Sequence, residues 1–160
     1  MTAYAHLPYR RGVGIMLLNA AGQVFIAKRI DAIAEAWQMP QGGMDEGETP
    51  REAAIRELRE ETGVREAVLL AESADWYRYD LPDELVPIIW GGKYRGQEQK
   101  WFAMRLVGGD SAIDITGEHG AHAEFSEWRW APMHTLPDVI VPFKRALYAA
   151  LVAEFGYLID

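Results

Sequence analysis

Residues 42–64 read GGMDEGETPREAAIRELREETGV, and this stretch decides what the rest of the chain must be. Its second half places Glu57, Glu60 and Glu61 at i, i+3 and i+4, so a helix here carries all three carboxylates on one face. Like charges at that spacing cost a helix roughly 0.2–0.5 kcal/mol per pair. A sequence shaped for stability alone would separate them, and the pattern therefore points to a function at this face. Mg²⁺ or Mn²⁺ is the natural compensation, because both take oxygen ligands and favour carboxylates together with phosphates. Two alternatives stand beside a metal site. One is a solvated acidic helix with ordinary pairs such as Arg56 with Glu60. The other is a calcium loop, whose alternating acidic spacing is missing.

The helix is well specified. Thr49 at the N-cap, Pro50 at the first position and Glu52 at the third form a capping box with a first-turn proline. Ala54, Ile55, Leu58 and Thr62 supply a less polar stripe, and Gly63 ends the helix by allowing a left-handed residue. Gly42, Gly43 and Gly47 make a loop whose backbone can approach a ligand closely.

Outward from this stretch, the chain has 160 residues, the size of one domain spanning 1–160. A hydrophobic content of 49% and a charged content of 25% are those of an ordinary globular protein. The absence of cysteine excludes disulfides, zinc–thiolate sites and thiol catalysis. No apolar run approaches the ~20 residues needed to span a bilayer. Residues 12–18 are too short and too lightly charged upstream for a signal peptide, so a cytoplasmic location is expected. The net charge of −8 argues against a general nucleic-acid coat. A phosphate chain can still enter an acidic site when bound metal ions reverse the local sign. The charge thus favours recognition of an end over a long backbone.

Strands are expected at 13–18 and 24–27, joined in a hairpin by a turn at 19–22, and again at 67–73, 76–79, 100–107 and 127–130. Residues 30–36 read as a connector and 37–39 as a short strand end. Long loops at 81–99 and 108–125 are candidates for function, since compact domains seldom keep such lengths otherwise. A short helical turn is expected at 133–136. A C-terminal helix opens at Pro142 and buries Phe143, Ala146, Leu147, Ala150, Leu151 and Phe155 on one face. The result is an α/β chain, a mixed sheet with helices on both faces. Trp101, Trp128 and Trp130 fall in strand patterns as core residues, whereas Trp76 and Trp90, near or in a long loop, are candidates for substrate contact.

Gly42, Glu48, Arg56, Glu57, Leu58, Glu60, Glu61, Gly63 and Val64 meet in full the pattern G-x5-E-x7-R-E-U-x-E-E-x-G-U, with U aliphatic. This is the Nudix box, and the chain resembles Nudix hydrolases. The resemblance extends over roughly 9–155 through YR at 9–10, GVGI at 12–15, WQMPQGG at 37–43, GQ at 96–97 with QKWF at 99–102, EF at 124–125 with EWRW at 127–130, and FKR at 143–145. These flanking motifs are similar to those of bacterial RNA pyrophosphohydrolases and plant-type asymmetric diadenosine tetraphosphate hydrolases.

The resemblance implies the Nudix α/β/α sandwich. It implies Mg²⁺, or Mn²⁺ in its place, held by Glu57, Glu60 and Glu61, with the Gly42 carbonyl as a further ligand. Arg56 would orient a box carboxylate, against the alternative of a plain helix-surface pair. Glu124 matches a glutamate that reaches the metals and assists deprotonation of water, although Ala123 stands where relatives often have proline; the alternative is a solvated loop carboxylate. Arg10 and Lys100 are candidates for the phosphate chain. Arg29 and Phe143 resemble a pair that sandwiches a base, Phe143 being equally readable as a helix core residue. Lys144 and Val141 match positions whose backbone lies at the base edge, and Gln38 a base contact, with Ala36 replacing a serine found in relatives active on RNA. Tyr79 matches an aromatic near the phosphates. His119 and His122 are left unassigned.

The implied activity is hydrolysis of a phosphoanhydride bond in a nucleoside 5′-polyphosphate. The RNA 5′-triphosphate end would give a monophosphate end and pyrophosphate, and diadenosine tetraphosphate would give ATP and AMP. The rivals are a nucleotide-sanitising pyrophosphatase and a non-catalytic nucleotide sensor. Sensors usually lose a box glutamate, and none is lost here. The expected partner is the substrate alone, with no membrane, and no protein partner is readable from the residues.

Overall fold

In the computed structural model, residues 3–31, 35–117 and 123–159 are described. The strand Tyr9–Leu18 (β1) is buried without a break from Gly12 onward, as a strand flanked on both faces should be. It returns through a turn in which the Asn19 side chain accepts from the N–H groups of Ala21 and Gln23, at 3.0 and 2.9 Å. Val24–Arg29 (β2) completes the expected hairpin. Then come Gln41–Gly43 (β3), the helix Pro50–Thr62 (α1), Ala67–Glu72 (β4), Tyr77–Asp80 (β5), Gly96–Leu106 (β6), Phe125–Ala131 (β7), Leu136–Val139 (α2) and Arg145–Phe155 (α3).

The sheet runs β4-β6-β1-β2-β7, with β3 paired to β1 and β5 to β6. β1 and β6 are parallel, from Tyr9↔Gly96 to Leu18↔Arg105, and every other strand pair is antiparallel. Side-chain alternation along β1 sorts the core. Val13, Ile15 and Leu17 pack with Ala53, Ala54 and Leu58 of α1, whereas Met16 and Leu18 pack with Leu136 of α2 and Leu147, Leu151 and Phe155 of α3. This is the three-layer α/β/α arrangement with a mixed sheet. No helix among the described residues is long and apolar enough to cross a membrane.

Several boundaries differ from the sequence reading. Residues 37–39 form no strand; Gln38 makes one bridge to Ala27, and β3 lies instead in the glycine segment, pairing Gly42 with Val13. β6 starts at Gly96 and not at residue 100, because both of its edges are taken, by β1 and by β5, which outweighs its polar opening GQEQ. β7 begins at Phe125, and α2 runs past residue 136. Pro142 opens a single 3-10 turn, Pro142–Lys144, and α3 follows it. On α1, Ile55 faces solvent and Ala53 is buried, a rotation of the stripe by one position. The expected loop at 108–125 and the connector at 30–36 fall partly outside the described residues, as do His119 and His122.

Candidate functional site

α1 starts where its sequence says it should. The Glu52 N–H donates to Thr49 Oγ1 at 3.2 Å, the Thr49 N–H donates to Glu52 Oε1 at 2.9 Å, and Gly63 closes the helix at φ 75°. The preceding loop is fastened to this helix by Arg56. Its guanidinium forks onto Glu48 at 2.7 and 2.9 Å, reaches Glu57 at 2.9 Å and Glu60 at 3.1 Å, and donates to the Gly43 carbonyl at 2.8 Å. Arg56 is thus far more than a surface pair. The bond to Glu48 leads in holding its guanidinium charged, and Arg56 in turn holds the Glu48 carboxyl below the usual range.

The other side of the acidic face is dry. Glu61 is 7% exposed, and among the described residues its one backbone donor is the Gln41 N–H at 3.4 Å. Burial pushes its carboxyl well above the ordinary range, and the neighbouring Glu57 charge adds to the effect. Burial also raises Glu57, in spite of Arg56. The strand β3 presses on this pair so closely that a Cβ at Gly42 would run into the Glu57 carboxylate. Glu124, just ahead of β7, has its backbone carbonyl bonded by the Ile30 N–H at 2.9 Å, and its charge is felt by Glu61. Its carboxylate lies 3.8 Å from Arg29 Nη2.

Among the described residues no three acidic or imidazole side chains already converge in an ion-binding array, since Glu57 and Glu60 are turned onto Arg56. The donor chemistry nevertheless fits a hard divalent cation. It is all oxygen, it includes a buried carboxyl beside a second raised one, and β3 lies against both, through Gly42 at Glu57 and the Gln41 N–H at Glu61.

Facing this acidic set, the sheet assembles a group of cations. The registers Arg10↔Gln97 and Tyr79↔Gln97 set these side chains side by side across β1, β6 and β5. Gln97, fully buried, donates to the Tyr79 hydroxyl at 2.8 Å and to Gln41 Oε1 at 3.1 Å, while Gln99 donates to the same Gln41 oxygen at 2.7 Å. Because the Tyr79 oxygen accepts from Gln97, its own proton is free to point onward. The Lys144 ammonium lies 4.8 Å above the Tyr79 ring, and the Phe143 ring centre is 6.0 Å from it. Burial first, and the nearby Arg29 second, lower Lys144 to about 8 against the opposing charge of Glu61. The ammonium therefore faces the site, where the sequence resemblance implied only its backbone.

Some expected residues stand apart. Lys100 is on the opposite face of β6 from Gln97 and Gln99, its ammonium 3.9 Å from Glu72. Gln38 is buried, its backbone exchanging bonds of 2.9 and 2.8 Å with Ala27. Arg29 forks onto Asp31 at 2.8 and 2.9 Å, and it makes no ring contact with Phe143 among the described residues. Phe143 is half-buried and packs against the α3-side core, as its helix reading expects. Trp101 is core; Trp128 and Trp130 are half-buried, with centroids 5.4 and 6.2 Å from Phe25. Trp76 lies under Arg11 at 4.6 Å and Trp90 under Arg10 at 5.2 Å. Gln41, Gln97 and Gln99 were missed as site residues. Gln97 and Gln99 carry two available signals, polar residues two apart at a strand entry and a place in the flanking motifs at 96–97 and 99–102.

Comparison with known proteins agrees with this geometry. Residues 8–151 match the model of the NUDIX domain family. A Rhodospirillum rubrum protein named RNA pyrophosphohydrolase is 57% identical over 95% of this chain and 90% of its own length. A protein of the same name from Sphingopyxis alaskensis is 53% identical over 99% of this chain and 100% of its own. Among solved structures, a Caenorhabditis elegans Ap4A hydrolase binary complex superposes with a TM-score of 0.65 at 16% identity, covering 92% of this chain and 98% of that one. The Escherichia coli dihydroneopterin triphosphate pyrophosphohydrolase does so with a TM-score of 0.66 at 16% identity, over 92% and 99%. With the box helix, the glycine strand and the sheet all in place, the chain belongs to the NUDIX domain family.

Proposed function

We propose that this chain hydrolyses a phosphoanhydride bond in nucleoside 5′-polyphosphates. The first substrate in this reading is the 5′-triphosphate end of RNA, converted to a monophosphate end with release of pyrophosphate; the second is a dinucleoside tetraphosphate. The observation that carries it is the apposition of two charge sets across β3. One side holds Glu57, Glu60 and Glu61, and the other holds Arg10, Lys144 and the Tyr79 hydroxyl around Gln41. A polyphosphate needs cations along its non-bridging oxygens and a deprotonated water at the attacked phosphorus. The names of the relatives at 53–57% identity support RNA as the first choice.

In this reading Glu57, Glu60, Glu61 and the Gly42 carbonyl hold Mg²⁺, with Mn²⁺ able to replace it. When bound, it would neutralise phosphate charge and make water more acidic. Arg56 keeps loop and helix in one register so that the carboxylates stay aimed at β3. Arg10 and Lys144 hold the phosphate chain and Tyr79 donates to it. Glu124, beside Glu61, takes the proton from the attacking water. Arg29 and Phe143 flank the base. Lys100 on its face of β6 keeps only a supporting role through Glu72.

The test is a competition between 5′-triphosphorylated RNA and diadenosine tetraphosphate with Mg²⁺, with product analysis in ¹⁸O water to locate the attacked phosphorus. Faster loss of the RNA triphosphate is expected. Turnover of neither substrate, with nucleotide binding retained, would favour the sensor.

A further inference from the structure

Arg10 and Trp90 form a pair that nothing above explains. Among the described residues Trp90 is the non-glycine residue with positive φ, at φ 52° and ψ 34°. A bulky side chain disfavours that left-handed region, so a glycine would fit the backbone better. Gly91 and Gly92 continue in the same region at φ 68° and 74°. This bent path brings the half-buried indole against β1, where the Arg10 guanidinium lies 5.2 Å from its ring centre and Tyr94 packs edge-on at 6.2 Å. The other side of the guanidinium lies on β3, so closely that a Cβ at Gly43 would meet it. Arg10 is therefore held between an aromatic face and a glycine backbone.

Its donors are uncommitted. Arg11, Arg29, Arg56, Arg78 and Arg95 each hold a carboxylate at 3.0 Å or less, whereas Arg10 has neither a carboxylate nor a hydrogen-bond acceptor among the described residues. A cation gripped through its π-face alone keeps its in-plane N–H groups for something else. Those groups lie beside Gly43, next to Gly42 and the acidic set. Strain kept at a site by its surroundings is a pointer to function when the outlier is observed first.

We propose that Trp90 is a positioning residue: its indole fixes the Arg10 guanidinium over Gly43 with the donors free for the phosphate chain. This rests on the reading that a polyphosphate occupies the site. Trp90 touches no reacting atom and acts through Arg10. The segment 81–95 is, on this view, a specificity element for phosphate placement rather than a connector.

The test is a double-variant cycle read by calorimetric affinity for inorganic triphosphate with Mg²⁺, alongside kcat and KM on triphosphorylated RNA. Trp90→Leu keeps apolar volume but removes the ring face, and it should weaken triphosphate binding roughly three- to thirty-fold. Trp90→Phe should restore most of the loss. In an Arg10→Ala background Trp90→Leu should cost nothing further, and the change should appear in KM with kcat held. Thermal melts accompany each variant; Trp90→Gly, which relieves the left-handed backbone, replaces Trp90→Leu should that variant unfold. Additive losses, equal losses for Phe and Leu, or unchanged binding would overturn the assignment, as would a wild type that binds no triphosphate. A wild type that binds triphosphate but hydrolyses neither substrate sinks the proposed activity and leaves the binding cycle to decide Trp90. Turnover of RNA with an additive cycle sinks Trp90 alone.

Discussion

The two sides of the site are built in opposite ways. The acidic side comes from one loop and one helix, residues 42–61, fastened by a single arginine that bonds Glu48, Glu57, Glu60 and the Gly43 carbonyl. The cationic side takes Arg10 from β1, Arg29 from β2, Tyr79 from β5, Gln97 from β6, and Phe143 and Lys144 from the turn before α3. The first is local and tightly paired. The second is assembled at long range, and among the described residues neither Arg10 nor Lys144 holds a carboxylate in an ion pair. A preorganised region whose charges lack partners is one that a ligand completes. On the proposed function, the difference makes chemistry and substrate choice separable, and single substitutions should pull them apart.

The sharpest break falls on the acidic side. Glu57→Gln, Glu60→Gln and Glu61→Gln should each lower the Mg²⁺-dependent rate by about a thousandfold or more, since metal-based charge stabilisation is worth several kcal/mol. Thermal melts should show α1 unharmed or slightly steadier as repulsion is relieved. Wild-type rates in all three variants would end the metal assignment. Glu124→Gln should cost roughly 10²–10⁴-fold in kcat, the range of general-base work, with metal affinity in a titration nearly unchanged. A flat result across pH would return Glu124 to solvent.

Gly42→Ala tests how closely the two sides are fitted. Its Cβ would displace the Glu57 carboxylate, the far end of a flexible side chain, so the fold should survive. A misplaced ligand should still cost on the order of 10²-fold in kcat/KM. Activity equal to wild type would show that Glu57 does not need its present seat.

On the cationic side, the losses should move to KM. Arg29→Ala and Phe143→Ala should each weaken RNA by about one or two powers of ten, by loss of stacking, and should affect ATP less. Equal losses on both substrates, or a loss accounted for by unfolding of Phe143→Ala, would remove the clamp. The smallest effect is expected at Lys144. Its ammonium is charged below about pH 8 in the folded chain but up to 10.5 when unfolded. Phosphate affinity should therefore fall a few-fold as pH rises through 8, and Lys144→Gln should flatten that limb. The unfolded chain binds the extra proton between these values, so stability from this residue should rise with pH over the same window. A pH series of binding and of melts reads both.

What the sequence determined by itself is the acidic side and the class of fold. Helix capping, the i, i+3, i+4 spacing and the C-terminal glycine are contacts between near neighbours, and near neighbours are visible in a string. The same locality explains why the Thr49 cap, the Gly63 stop and the strand at 13–18 stand in the structure as read. Tertiary structure decided the rest. Gln97 and Gln99 look like loop polarity until β1 and β5 close on both edges of β6 and bury them. Lys100 looks like a phosphate ligand until the strand period turns it to the other face, toward Glu72. Lys144 gains its lowered pKa from burial and from Arg29, and Arg10 gains its indole from the segment just before β6, which pairs in parallel with β1 across 87 residues. Burial and cross-strand register are long-range quantities, and no spacing along the chain encodes them.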